Sequence, residues 1–181
     1  MRAISKIAAW AIMSLAISTT AVAGTAFGLK QHDYNPKSVQ HSHELDPATQ
    51  RQLACLARNV WYEAGAESMR GMMAVAQVTI NRSRSNHWPN DLCAVVAQSH
   101  VANEKRVCQF SWYCDPSKNK NKVIGKNNPA YIAARRVFLD GQRIPELGYN
   151  TFFFHSTSVM IPPGWPHEII MQIGNHVFYR R

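Results

Sequence analysis

The chain has 181 residues, 46% of them hydrophobic, and its 20 basic and 11 acidic side chains give a formal charge of +9. That length suits one domain with a proper core. Beyond a short apolar run near the N-terminus no stretch could cross a bilayer, which excludes a polytopic membrane protein. The excess positive charge suits an anionic partner and does not choose among nucleic acid, lipopolysaccharide and carboxylate-bearing wall polymer.

Arg2 and Lys6 precede the run IAAWAIMSLAI, and Ala21-Val22-Ala23 follows as a small-x-small cleavage site. This layout predicts a secretory signal peptide over residues 1–23, the run being short for a membrane anchor. Its removal takes Arg2 and Lys6 and no acid, leaving +7 of the +9. Residues 24–45 are polar and aperiodic, which predicts a linker or flexible arm. The arm carries His41 and His43. With no third ligand nearby they make no metal site, and no cofactor is expected.

The ordered domain is expected over 46–181. Asp46 is a good N-cap and Pro47 fits the first helical position. Leu53, Leu56, Val60 and Ala64 recur at helical spacing, and Gly65 is a plausible stop. A second helix begins near Ser68 and runs to Arg82. It is apolar nearly all round from Met69 to Ile80, interrupted mainly by Arg70, Gln77 and Thr79, the pattern of a central buried helix. Trp88-Pro89 marks a turn, and Asn90 or Asp91 caps a short third helix over 91–99. Residues 100–128 read as irregular. Pro129 opens a further helix ending at Gly141. Thr151–His155 is a strand candidate in which Phe152 and Phe154 share one face, Phe153 and His155 the other. Glu168–Ile173 and His176–Tyr179 read as a hairpin around Gly174-Asn175. Helices first and strands afterwards imply an α+β fold.

Export places Cys55, Cys93, Cys108 and Cys114 in an oxidising compartment, where an even set favours disulfides. Four cysteines allow three pairings. Cys108 and Cys114 bracket a short loop, which pairs them and leaves Cys55 with Cys93. No C-x-x-C or finger-spaced quartet supports zinc. No G-x-S-x-G elbow, H-E-x-x-H or phosphate-binding loop occurs.

The stretch WYEAGAES carries the sharper signal. At about 100° per residue from Leu56, Val60 lies about 40° round, Leu53 about 60°, and Glu63 about 20° the other way. Glu63 therefore falls on the stripe that faces the core. A carboxyl there must be paired or keep its proton, and a glutamic acid protonated near neutral pH suits general-acid catalysis. The plainer reading is a solvated charge at a helix end. CQFSWYC offers an amide, a hydroxyl and three aromatic rings. Gln109 and Ser111 could bond sugar hydroxyls, and Phe110 and Trp112 could stack on sugar faces or simply fill a core. His155 could be a core histidine, a substrate donor or a base.

CLARNVWYEAGAE, G-MMAVAQVTINR, CQFSWYCD, FFFHS with IPPGW, and IGNHVFYR, in that order, resemble the cell wall hydrolases of the spore-cortex-lytic type. The resemblance runs from about Leu53 to Arg180. It implies a mainly helical, lysozyme-like fold with a small C-terminal antiparallel β region. It also implies cleavage of the glycan strands of peptidoglycan. The signal peptide and disulfides suit a periplasmic or secreted setting, and a monomer without nucleic acid as a partner is expected. The family's acid matches Glu63. The residues expected on substrate are Glu67, Gln109, Phe110, Ser111, Trp112 and His155. The family commonly has E-A-R-G-E where this chain has Glu63-Ala64-Gly65-Ala66-Glu67, which bears on the role of Glu67. A second carboxylate would come from Glu67 or Asp115. Without one, a lytic transglycosylase outcome is favoured over a muramidase. The competing functions are a non-catalytic peptidoglycan-binding protein and a basic nucleic-acid binder, the latter resting on the Lys118–Lys126 run.

Overall fold

The computed structural model describes residues 44–161 and 168–180. The expected signal peptide at 1–23, the pair His41 and His43, and all of the arm before Glu44 lie outside them.

Helix α1 (Pro47–Ala64) starts where the sequence places it. The Asp46 carboxylate accepts from the Thr49 amide at 3.0 Å and Pro47 opens the first turn. Its buried stripe is Leu53, Leu56, Ala57, Val60 and Ala64. Helix α2 (Met69–Ser83) is capped by the Ser68 hydroxyl, which accepts from the Gly71 amide at 3.2 Å. Every residue from Ala74 to Arg82 is buried, so α2 is the central helix. Helix α3 (Leu92–Ala97) is short and capped by Asp91. It is fastened to α1 by the Cys55–Cys93 disulfide and by Arg51, which bonds Asp91 at 2.6 Å. Helix α5 (Pro129–Phe138), capped by Asn128, packs against both α1 and α2. These three long helices enclose the main core, which also takes in Leu147, Ile173 and Phe178.

The polar residues interrupting α2 are its fasteners. Gln77, 1% exposed, accepts from the Ile144 amide at 2.8 Å and donates to the Gly148 carbonyl at 3.0 Å. Asn81 donates to the carbonyls of Gly148 and Thr151, both at 3.0 Å. A buried amide is tolerated only when such bonds are made. Here they fix the chain from Ile144 through the 3₁₀ turn Pro145–Leu147 into strand β3 (Thr151–Ser156).

β3 pairs with β5 (His176–Arg180), and β5 with β4 (Glu168–Ile173), all antiparallel, in the order β3-β5-β4. The β4–β5 hairpin turns at Gly174-Asn175, as the sequence predicts, with Gly174 at φ 57°.

Four expectations need correction. The segment read as irregular contains a hairpin, β1 (Ser99–Ala102) with β2 (Lys105–Cys108), followed by the short helix α4 (Ser111–Cys114). The hairpin's turn uses Asn103 and Glu104, both at positive φ, without a glycine to announce it. The third helix stops at Ala97 because β1 begins at Ser99, and α5 ends at Phe138, ahead of Gly141. The alternation of β3 holds from Phe153 to Ser156, where Phe153 and His155 share a face, and is interrupted only at its start. Thr151 pairs with Arg180 and Phe153 with Tyr179, so Phe152 is the extra residue of a bulge. The helices and small antiparallel sheets make an α+β fold. Among the described residues no helix is long and apolar enough to cross a membrane.

Candidate active site

A groove of about 1150 Å³ runs between the C-terminal end of α1 and the sheet. α1 supplies Trp61, Tyr62 and Glu63, with Gly65 and Ala66 just beyond it. One wall is the segment from α4 into the following loop, contributing Ser111, Trp112, Asp115, Lys118, Asn119 and Lys122. The opposite wall is sheet, with Phe154, His155 and Ser156 from β3 and His176 from β5.

Glu63 reaches the groove from the last turn of α1 and keeps a partial opening to it. Burial pushes its carboxyl up from 4.5 to about 7, against the opposing pull of the Arg82 cation. Among the described residues no hydrogen bond reaches the Glu63 carboxyl, so the Arg82 charge is what offsets its desolvation. The glutamate is consequently poised to hold a proton near neutrality and to give it up there.

Arg82 was not singled out by sequence reasoning. It is 2% exposed, at the C-terminal end of α2. Its Nε donates to the Phe152 carbonyl at 2.7 Å, at the bulge of β3. Its guanidinium lies 5.1 Å from the Phe110 ring centroid and 5.8 Å from that of Phe153. Burial lowers its pKa to about 10 while Glu63 pulls the other way, so it remains a cation at neutral pH. The arginine thus supplies a fixed positive charge behind the acid.

The other predicted residues divide. Ser111, Trp112 and His155 line the groove with Glu63. Trp112 is 5% exposed; its indole N–H donates to Asn59 Oδ1 at 2.9 Å and its ring stacks on Tyr62 at 4.4 Å. Asn59 in turn donates to Thr79 Oγ1, so this wall is tied to both α1 and α2. His155 Nε2 shares a 2.7 Å hydrogen bond with the Tyr179 hydroxyl. Phe110 is 2% exposed and packs with Val95, Val96 and Trp112, so it supports the wall from behind. Gln109 is exposed and stands outside the groove lining; its backbone amide bonds Gln98.

Glu67 also stands outside the groove lining. Its carboxylate accepts from the Asn175 amide at 3.3 Å and faces His176 Nδ1 at 3.7 Å. It clamps the β4–β5 turn to the start of α2 instead of facing the space where a substrate would lie. His176, the groove residue beside it, was likewise missed; a histidine after a hairpin turn carries no local signal of a cleft. Burial holds its pKa down, opposed by Glu67 and assisted by His155. Asp115 is the second carboxylate of the groove lining. Hydrogen bonding from Ser117 lowers its pKa, so it is ionised where Glu63 is protonated. Gly65 and Ala66, where this chain departs from E-A-R-G-E, both lie in the groove lining, so the departure shapes the cleft and leaves the core alone. Among the described residues no three His, Cys, Asp or Glu side chains gather as a metal site. Both disulfides form as Cys55–Cys93 and Cys108–Cys114, the latter closing α4 onto β2 at the groove wall.

Residues 66–179 match the cell wall hydrolase family. The fold is similar to the catalytic domain of the Bacillus cereus SleB protein, with TM-score 0.54 and 21% identity over 72% of this chain and 91% of that one. It is similar also to the catalytic domain of the germination-specific lytic transglycosylase SleB from Bacillus anthracis, with TM-score 0.57 and 22% identity over 76% of this chain and 100% of that one. No curated protein matches the sequence. Glu63 lies just ahead of the matched stretch, so its assignment rests on the groove's geometry.

Proposed function

Because the chain belongs to the cell wall hydrolase family, we propose that it cleaves the glycan strand of peptidoglycan between N-acetylmuramic acid and N-acetylglucosamine, with Glu63 as the acid. The observation that carries this reading is a glutamic acid with a pKa near 7 at the floor of an aromatic groove. The strand lies along the groove, whose lining includes the aromatic surface of Trp61 and Tyr62. Glu63 protonates the glycosidic oxygen, the bond from that oxygen to the muramoyl C1 breaks, and C1 gains oxocarbenium character. The muramoyl 6-hydroxyl then attacks C1 and yields its proton to the Glu63 carboxylate. The product is a 1,6-anhydromuramoyl end, and the acid is regenerated. The Arg82 cation favours the carboxylate that exists between the two proton transfers.

Hydrolysis is the second reading, and Asp115 is the observation that favours it. It is ionised and lines the same groove, so it could activate a water at C1. Mass spectrometry of digested peptidoglycan separates the two. An anhydro end lies one water below the hydrolytic fragment. The Glu63→Gln variant should release neither, and an equally active variant would end the assignment of Glu63. A non-catalytic binding role predicts pelleting with peptidoglycan and no soluble fragments from the parent protein. The disulfides support action in an oxidising compartment, periplasmic or secreted, reached through the signal peptide proposed at 1–23. The chain is proposed to act as a monomer, without nucleic acid as a partner.

A further inference from the structure

The groove wall opposite the sheet is held by two bonds to α1. The Tyr62 hydroxyl donates to the Asn119 carbonyl at 3.0 Å, and Arg58 Nε donates to the Lys122 carbonyl at 2.8 Å. Lys122 thereby sits with its ammonium 4.3 Å from the Trp61 ring centroid, on the groove side of α1. Such a cation is ordered before any ligand arrives. Lys118 also lines the groove and faces Asp115 at 4.0 Å, a weak pairing because both side chains are exposed. Lys122 has no carboxylate partner among the described residues. The wall thus presents two ammonium groups against one carboxylate, beside an acid whose burial pushes its pKa up to about 7.

We propose that Lys122, backed by Lys118, reads the carboxylate borne by a muramoyl residue and so makes the groove select muramoyl-containing strands over neutral N-acetylglucosamine polymers. This rests on the glycan-strand reading above. The two sugars differ by the lactyl ether, which ends in a carboxylate when bare and leads to stem-peptide carboxylates when substituted. A preordered ammonium on the rim distinguishes either anionic form from a neutral sugar, at a cost in salt sensitivity.

The test uses the full chain carrying Glu63→Gln, so that ligands survive, and calorimetric binding at low and at physiological salt. The probes are a β-1,4 hexamer of N-acetylglucosamine, an alternating peptide-free hexamer with N-acetylmuramic acid, and the same hexamer bearing tripeptides. The anionic hexamers should bind about tenfold more tightly than the neutral one at low salt. Adding Lys118→Gln and Lys122→Gln should reduce the preference to about twofold or less. Lys105→Gln with Arg106→Gln, on the β1–β2 hairpin outside the groove, removes equal charge and should leave it intact. If the bare hexamer carries the preference, the lactyl group is the ligand; if only the substituted one does, the stem peptide is. Equal binding of all three probes, or a preference that survives the groove lysine changes, overturns the proposal while the glycan reading stands. Binding of none of them overturns both.

Discussion

Glu63→Gln should make the protein more stable at pH 8 and leave its stability nearly unchanged at pH 4. Glutamine keeps the size of the side chain and cannot ionise. In the parent, the folded-state pKa of Glu63 is raised from 4.5 to about 7. The folded state therefore holds this proton more tightly than the unfolded chain. The resulting stability is fully present below 4.5 and is lost as pH rises through about 7. A shift of that size corresponds to about 3 kcal/mol across the window. All other groups titrate in both proteins and cancel in the comparison. Urea unfolding, with the disulfides intact, reads the difference directly. For a slope of about 2 kcal/mol/M, the midpoint advantage of the variant should grow by about 1.5 M between pH 4 and pH 8. A midpoint difference that changes by less than about 0.3 M over that range would refute the claim that this carboxyl is desolvated.

The same proton sets the pH dependence of cleavage, with activity falling as pH rises through about 7 and reaching roughly a tenth of its plateau one unit above; initial rates of wall solubilisation from pH 5 to 9 would show it, and a flat profile to pH 9 would count against Glu63 as acid. Gly174 sits at φ 57°, and a Cβ there would meet Glu67 Oε2 at 1.9 Å. Gly174→Ala should therefore cost about 2 kcal/mol or more in chemical denaturation, and less in a Glu67→Ala background where the clamp is already gone. The disulfides close loops of separation 38 and 6. Replacing Cys55 and Cys93 by serine should cost about 4 kcal/mol against about 2 kcal/mol for Cys108 and Cys114, yet the second pair should cost more activity, because α4 forms the groove wall. Asp115→Asn should leave anhydro product formation within about threefold of the parent, whereas a hydrolytic mechanism predicts a loss of about a hundredfold or more; product analysis by mass spectrometry reads both.

The sequence by itself determined where the three long helices start, because those signals are local. Asp46-Pro47 and Pro129 mark their own helix starts, and the spacing of Leu53, Leu56 and Val60 put Glu63 on the buried stripe before any packing was known. The all-round apolar run of α2 likewise required a central position, and the glycine at the β4–β5 turn announced its hairpin. Tertiary structure decided what surrounds the acid. Arg82 arrives from α2 and His176 from β5, at sequence distances where periodicity carries no information. The β1–β2 hairpin turns on Asn103 and Glu104 and exposes most of its residues, so neither alternation nor glycine marked it. β3 is an edge strand of its sheet, so Phe154 and His155 both reach the groove although they point to opposite faces. Glu67 looked like a partner to Glu63 four residues on, yet the break after Ala64 sends it to the backbone of Asn175. Backbone patterns fix which side of a helix turns inward, whereas a pKa and a cleft depend on which distant groups displace water from a given side chain, and only the packed chain settles that.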